Sequence, residues 1–317
     1  MRAADMQMAT GSIVVFGEAL VDDFLTGQVV GGAPFNVARN LAAFDSAPLM
    51  ITRIGDDQAG ALLRAQFEHF GLAQQGLQSD PTEPTGRVLV ERGENGHRFT
   101  ILPDQAYDRI DSAAALAAAA ACTPSTVYFG TLAQRHPTSR AALRALLRSC
   151  DAVRYLDLNV REGQVSERCV FESLHEADIV KVNEEELQDL FGWYTHTRQN
   201  TGDMGGSGVR GACAALIRIF ALEAMIVTLG PRGSVYFGAD GATVVHADTV
   251  KPARMVDTVG AGDAFSAIFL LGRERGWPLE LTLARANEFA GAVCAIAGAV
   301  PAETAFYAPY VARWLAD

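Results

Sequence analysis

The stretch "DTVGAGDAF", Asp257 to Phe265, sets two glycines around an alanine directly ahead of an acid, and an apolar run continues to Leu271. Helical spacing after Asp263 makes Gly260, Ala261 and Gly262 the turn into a helix, whose first backbone N–H groups have no intrahelical acceptor. Glycine lets such a backbone approach a phosphate closely, and the helix end adds partial positive charge. Asp263 then stands beside the anion so held, placed to take a proton from an attacking hydroxyl. The same residues also describe an ordinary helix entry with Asp263 favoured by the helix dipole. Spacing alone weighs the two readings equally.

The elements that must carry this turn alternate along the chain. "SIVVFG" is a β-branched run closed by glycine, and "APFNVARNLAAF" follows with apolar residues at helical spacing. "PLMITRIG" is again extended, and "QAGALLRAQFEHFG" sets Leu62, Leu63, Phe67 and Phe70 on one helical face. "STVYFG", "VRYLDLN", "DIVKVN" and "AMIVTLG" are further strands, each expected to lead into a helix. Such alternation predicts an α/β fold, a doubly wound, mainly parallel sheet with helices on both faces and ligands at the carboxyl ends of the strands. "GRVLVERGENGHRFTIL" breaks the pattern and reads as a hairpin. With "FLTGQVVGG" it predicts a small separate β lid, from about 20–33 and 85–103, inserted in one domain over 12–317. Residues 1–11 are expected to be a disordered extension. The alanine run Ala113–Ala121 is a plain surface helix by propensity.

Composition narrows the partners. The chain has 317 residues, 49% of them hydrophobic and 20% charged, and a formal net charge of -11. No basic run is present, so nucleic acid is not an expected partner. No segment has the length of a membrane span or of a signal peptide's apolar core, so no membrane partner is expected. The five cysteines stand singly, without CxxC spacing, and read as reduced thiols of a cytoplasmic protein. A P-loop sequence is absent. "GGSGVRG", Gly205 to Gly211, contains a formal GxGxxG but follows a polar stretch; it reads as a flexible loop, which leaves a nicotinamide-dependent oxidoreductase as the alternative from another class.

"DTVGAGDAF" and "GGAPFNVARNLAAF", with "GEALVDDF", "RIGDDQAG", "DLNVRE", "KVNEEEL" and "TLGPRGS" in this order, resemble the ribokinase-like sugar kinases, also called the phosphofructokinase-B family, from about Ile13 to Ala299. The resemblance implies transfer of the γ-phosphoryl group of ATP to a sugar hydroxyl with Mg2+. Carried over, Asp263 is the catalytic base and the amides of Gly260, Ala261 and Gly262 are the anion hole. Asn183 and Glu186 organise the magnesium and phosphate shell, Glu186 through water, although the same pair is also a capping box. Asp22, Gly32 and Asn36 take the sugar hydroxyls, with Arg161 and Arg98 as further substrate contacts. Thr228, Gly230, Gly233 and Asn287 belong to the ATP end, and Asp257 suits a supporting K+. Asp23 reads as a surface acid. The blocks look most like fructokinases, although the tryptophan that often follows "NxR" there is missing from "REGQVSE". 2-Keto-3-deoxygluconate kinase is the runner-up, ahead of other sugar or nucleoside kinases. The exposed edges of the lid suggest a homodimer formed through it.

Overall fold

Strand β1 (Ser12–Phe16) divides its side chains between two apolar layers, Val14 and Phe16 in one and Ile13 and Val15 in the other. A strand buried on both faces belongs in the interior of a covered sheet, and β1 lies there with a parallel neighbour on each side. The computed structural model describes residues 11–25, 27–93, 96–239, 243–246 and 255–315. The expected N-terminal extension lies outside them except for Gly11, whose backbone packs against Thr123.

From β1 the chain runs through β2 (Leu20–Phe24), β3 (Gly27–Gly31), α1 (Ala33–Ala43), β4 (Leu49–Gly55), α2 (Gln58–His69), β5 (Leu77–Asp80), β6 (Gly86–Gly93) and β7 (Gly96–Ile101). Next come α3 (Ser112–Ala120), β8 (Pro124–Phe129), α4 (Pro137–Arg148), β9 (Val153–Asp157), α5 (Glu167–Glu176), β10 (Ile179–Asn183) and α6 (Glu184–Leu190). The rest is α7 (Ser207–Phe220), β11 (Ala224–Thr228), β12 (Ser234–Gly238), β13 (Thr243–His246), α8 (Ala261–Glu274), α9 (Leu279–Val293) and α10 (Ala308–Trp314).

Among the described residues the main sheet has the order β13-β12-β11-β10-β9-β8-β1-β4-β5. It is parallel from β11 to β5. Leucines of α4, α5, α6 and α7 cover one face with Val14 and Phe16, while α1, α2, α8, α9 and α10 cover the other with Ile13 and Val15. The order runs outward from β1 in both directions, so a crevice opens at the carboxyl ends of the strands near that reversal.

Three local readings change. The strand "AMIVT" is followed by a tight turn and not by a helix. Gly230 and Gly233 adopt φ of 55° and 85°, returning the chain at once, so β12 pairs antiparallel with β11. "GGSGVRG" is not a loop: α7 begins at Ser207, because Val209, Cys213, Leu216 and Phe220 bury one face, which outweighs the low helix propensity of glycine. Leu62 is 38% exposed, leaving Leu63 and Phe67 as the buried contacts of α2.

The second sheet has the order β3-β2-β6-β7, with β2 and β6 parallel and the outer pairs antiparallel. The turn expected between β6 and β7 lies outside the described residues. Both roots of the β6–β7 hairpin are tied to the main body. Asp57 caps α2 by accepting from Gly60 N at 2.7 Å, and also takes the amide of Thr85 at 2.8 Å and its hydroxyl at 2.7 Å, just before β6. After β7, Arg135 donates to Leu102 O at 2.8 Å while paired with Asp108 at 2.7 Å.

These bonds and the capping amide hold the Asp57 carboxyl below its usual range, against the opposing effect of burial, which is the largest single influence. A depressed carboxyl contributes stability above its unfolded pKa that is lost as pH falls through the folded one. Asp57→Ala is expected to lower the unfolding free energy by roughly 0.5–2 kcal/mol, the range for a lost helix cap. Denaturant titration near neutral pH measures it, and an unchanged midpoint would show that water replaces the carboxylate at no cost.

Candidate active site

A cleft of about 1490 Å³ lies over the carboxyl ends of the strands, with the second sheet on one side and α8 on the other. It brings together Asp22, Gly32, Asn36, Arg98, Arg161, Asn183, Glu186, Thr228, Gly230, Gly233, Asn287 and the turn Gly260–Asp263. Asp257 does not line it. Neither does any residue of "GGSGVRG", which removes the motif that had suggested a dinucleotide site.

The α8 turn is built for close approach. Gly260 is the N-cap at φ 80° and ψ -7°, and a Cβ there would lie 2.4 Å from Ala299 Cα. Only glycine fits both constraints. The Ala261 N–H donates to Thr258 O at 3.3 Å, so within the first turn the amides of Gly262 and Asp263 are the ones the helix leaves without an acceptor. A Cβ on Gly262 would sit 3.2 Å from Lys181 Nζ, so an ammonium group stands directly beside the turn.

Asp263 is buried, and burial pushes its carboxyl up to about 6. Asn36 Nδ2 donates to its Oδ2 at 2.7 Å and opposes that rise, as do the charges of Lys181 and Arg161, while Asp157 adds to it. Lys181 is itself held by both oxygens of Asp157, at 2.8 and 2.9 Å, and Ser266 and Tyr128 donate to the same carboxylate. Asp157 and Lys181 received no role in the sequence, although each opens one of the blocks "DLNVRE" and "KVNEEEL", because their pairing across β9 and β10 is set by the fold. Their place towards the carboxyl ends of two strands, where ligands are expected, was the available signal.

Asn183 and Glu186 form the capping box. Asn183 Oδ1 accepts from Glu186 N at 2.9 Å, and Glu186 Oε2 accepts from Asn183 N at 2.9 Å. Glu186 Oε1 takes the amide of Val160 at 2.8 Å, which fixes the loop carrying Arg161. Burial raises the Glu186 carboxyl, against those two amides and Lys181. Each oxygen keeps a free lone pair, and among the described residues no three His, Cys, Asp or Glu side chains converge. That donor set fits a divalent ion that keeps most of its water, and not a dry protein cage.

At the other end of the cleft β2 turns Asp22 inward and Asp23 outward, where Asp23 pairs with Arg87. Burial lifts Asp22 to about 6, against the charge of Arg161. Gly31 has to be small here, since a Cβ would come within 2.7 Å of Asp22 Oδ2. Glu18, which lies in "GEALVDDF" but received no role from the sequence, lines the same end; burial raises it to about 7, and its Oε2 has no hydrogen-bond partner. Arg98 and Arg161 are exposed cations on the rim.

At the opposite end, Thr228 Oγ1 donates to Val182 O at 3.3 Å, and Asn287 Nδ2 donates to Ser234 Oγ at 3.1 Å. Asn287 therefore also ties α9 to β12. The Asp257 carboxylate accepts from Val259 N at 3.0 Å and shapes the approach to α8. An anion-binding helix start, a buried carboxylate beside it and a polar pocket opposite suit transfer of an anionic group to a hydroxyl.

The comparisons agree with that chemistry. Residues 5–305 match the pfkB family carbohydrate kinase family. A fructokinase of Klebsiella pneumoniae is 30% identical over 275 residues, covering 83% of this chain and 84% of the relative. A fructokinase of Vibrio cholerae O395, solved with fructose, ADP and potassium ion, superposes with a TM-score of 0.74 at 24% identity, over 95% of this chain and 99% of that one. An aminoimidazole riboside kinase of Salmonella enterica, solved with its riboside and an ATP analog, gives a TM-score of 0.72 at 23% identity, over 92% and 96%. Among the described residues no helix is long and apolar enough to cross a membrane. This chain belongs to the pfkB family of carbohydrate kinases and is a phosphotransferase acting on a sugar hydroxyl.

Proposed function

We propose that the enzyme phosphorylates D-fructose to fructose 6-phosphate with ATP as donor. The reading is carried by one observation: Asp263, at the start of α8 and bonded to Asn36, shares its cleft with Asp22 and Gly32 on one side and the Thr228–Gly233 turn on the other. Asp22 and Asn36 orient a polyol, and Arg98 and Arg161 close over it from the rim. Thr228, Gly230, Gly233 and Asn287 take the nucleotide. The amides at the start of α8 receive the phosphoryl oxygens, with Lys181 alongside.

Phosphoryl transfer proceeds through a loose transition state, so positioning and neutralisation of negative charge do most of the work. Asn183 and Glu186 would hold Mg2+, which would supply neutralisation of phosphate charge. Asp263 orients the acceptor hydroxyl towards the phosphorus and receives its proton. Asp257, in the segment before α8, would support K+. The second sheet acts as a lid that excludes water, the smaller competing nucleophile. We place the enzyme in the cytoplasm, in keeping with its five unpaired cysteines.

2-Keto-3-deoxygluconate remains the second acceptor because Arg98 and Arg161 border the pocket and suit a sugar acid. Glu18 and Asp22 favour the neutral ketose, since two carboxyl groups would face the acid's own. An ADP-release assay over fructose, 2-keto-3-deoxygluconate, ribose, adenosine and fructose phosphates is expected to give fructose the highest kcat/KM. A higher value for the sugar acid would reverse the assignment, and no turnover of any acceptor would remove the kinase activity itself.

Asp263→Asn is expected to keep ATP binding and to lose roughly 10²–10⁴-fold in turnover, the contribution of a positioned base. The base must be ionised, so wild-type kcat/KM should rise with pH through about 6, where burial places the Asp263 carboxyl, and level off above it. A variant with near-normal turnover takes the role of base away from Asp263.

The lid also suits a dimer interface. Its outer strands β3 and β7 leave edges unpaired within the sheet, and Leu25 and Val29 are 95% and 45% exposed. Solution scattering should report twice the 33.8 kDa chain mass; a monomer mass at micromolar concentration counts against it.

A further inference from the structure

Arg39 lies on α1, one turn after Asn36, and is only 4% exposed. Its guanidinium donates to three oxygens, none from a carboxylate: Asn36 Oδ1 at 2.6 Å, Val30 O at 3.2 Å and Gln66 Oε1 at 3.3 Å. It stacks over Phe35 at 4.9 Å, while its Nε has no hydrogen-bond partner. Taking a cation out of water without a carboxylate beside it is costly, and burial lowers the Arg39 pKa to about 10. Core packing alone would be served better by an apolar side chain.

The compensation runs through Asn36. Arginine can only donate, so Asn36 must present its carbonyl oxygen to Arg39 and its amide nitrogen to Asp263. Without Arg39 the Asn36 side chain is free to turn over and accept from the protonated Asp263 carboxyl, which favours the neutral acid. We propose that Arg39 is a positioning residue that locks the Asn36 amide towards Asp263 and thereby keeps that carboxylate ionised for catalysis. The same guanidinium holds Val30 of lid strand β3, so the base and the root of the lid share one anchor. The inference rests on Asp263 being the base.

The test reads the acid limb of the kcat/KM profile, from about pH 5 to about pH 9, with ATP and fructose or whichever acceptor the panel selects. The charged groups around Asp263 are Asp157 from β9, Lys181 from β10, Arg161 from the loop after β9, Glu18 from the loop after β1 and the Arg39 guanidinium itself from α1. All but Arg39 stay in place in the variants, and the double variant separates the loss of its charge, which would add to the Asn36→Ala shift, from the loss of the orienting bond. Arg39→Met withdraws the orienting bond, so the Asp263 carboxyl rises and the limb should move up by roughly one pH unit. Arg39→Lys keeps a charged donor three residues from Asn36 and should retain the wild-type limb. Asn36→Ala should shift the limb as Arg39→Met does, and the double variant no further than either single one, because both cut the same link.

An unmoved limb in Arg39→Met overturns the proposal, as do additive shifts or an Arg39→Lys limb displaced as far as that of Arg39→Met. Should Arg39→Met give no cooperative melting transition, Asn36→Ala decides alone, since Arg39 is intact there and an unmoved limb removes the link. An active Asp263→Asn would remove the base reading; a dead Asp263→Asn beside an unmoved Arg39→Met limb removes only this inference.

Discussion

A carboxylate kept out of water at the beginning of a helix is the constraint around which this molecule is arranged. The start of α8 favours negative charge, and burial opposes it. The balance at Asp263 depends on what surrounds it: the Asn36 amide, the Lys181 ammonium group and the charge of Arg161 favour ionisation, while Asp157 and desolvation resist it. Asp157 is partly cancelled in turn, since Lys181 and two hydroxyls engage its oxygens. Moving any strand end in this group changes the charge state of the others, so the parallel sheet works as an alignment device for β9 and β10.

Backbone geometry sets the other requirement. Gly260 reaches α8 through a left-handed conformation pressed onto Ala299, and Gly32 begins α1 at φ 103° with its Cα side against Glu18 O. Two helices therefore start where no side chain could be tolerated, and both starts open on the same cleft. Their distance in sequence is large, and the Asn36–Asp263 bond closes it at 2.7 Å. A single side-chain bond thus joins α1 to α8 across the cleft.

What the sequence made legible was local in origin. Alternating strand and helix periods predict the layers, and the glycines of "DTVGAGDAF" predict a helix start because glycine spacing acts within one turn. The capping box of Asn183 and Glu186 is likewise a matter of three residues, and it forms alongside the link from Glu186 to Val160. Glu18, Asp157, Lys181 and Arg39 were not legible. What each one engages is set by the fold and not by spacing: Lys181 meets Asp157 across β9 and β10, and Arg39 turns inward to Asn36 and Val30. The β11–β12 pairing was missed for a related reason: the positive φ of Gly230 and Gly233 decides the direction of return, and a sequence does not display φ.

The end of the cleft lined by Glu18 and Asp22 holds an imbalance that function explains better than stability does. Glu18 and Asp22, like Asp263, have carboxyl groups raised by burial, to about 7 and about 6. A raised folded-state pKa means that the native protein binds more protons than the unfolded chain between roughly pH 4 and 7. These three groups therefore make the ligand-free fold less stable as pH rises through that window, the opposite of the contribution from Asp57. A core selected for stability alone would replace Glu18, whose Oε2 has no partner. Under the proposed function the same residue has a use, because a sugar hydroxyl bound there would supply the missing hydrogen bond and remove the penalty.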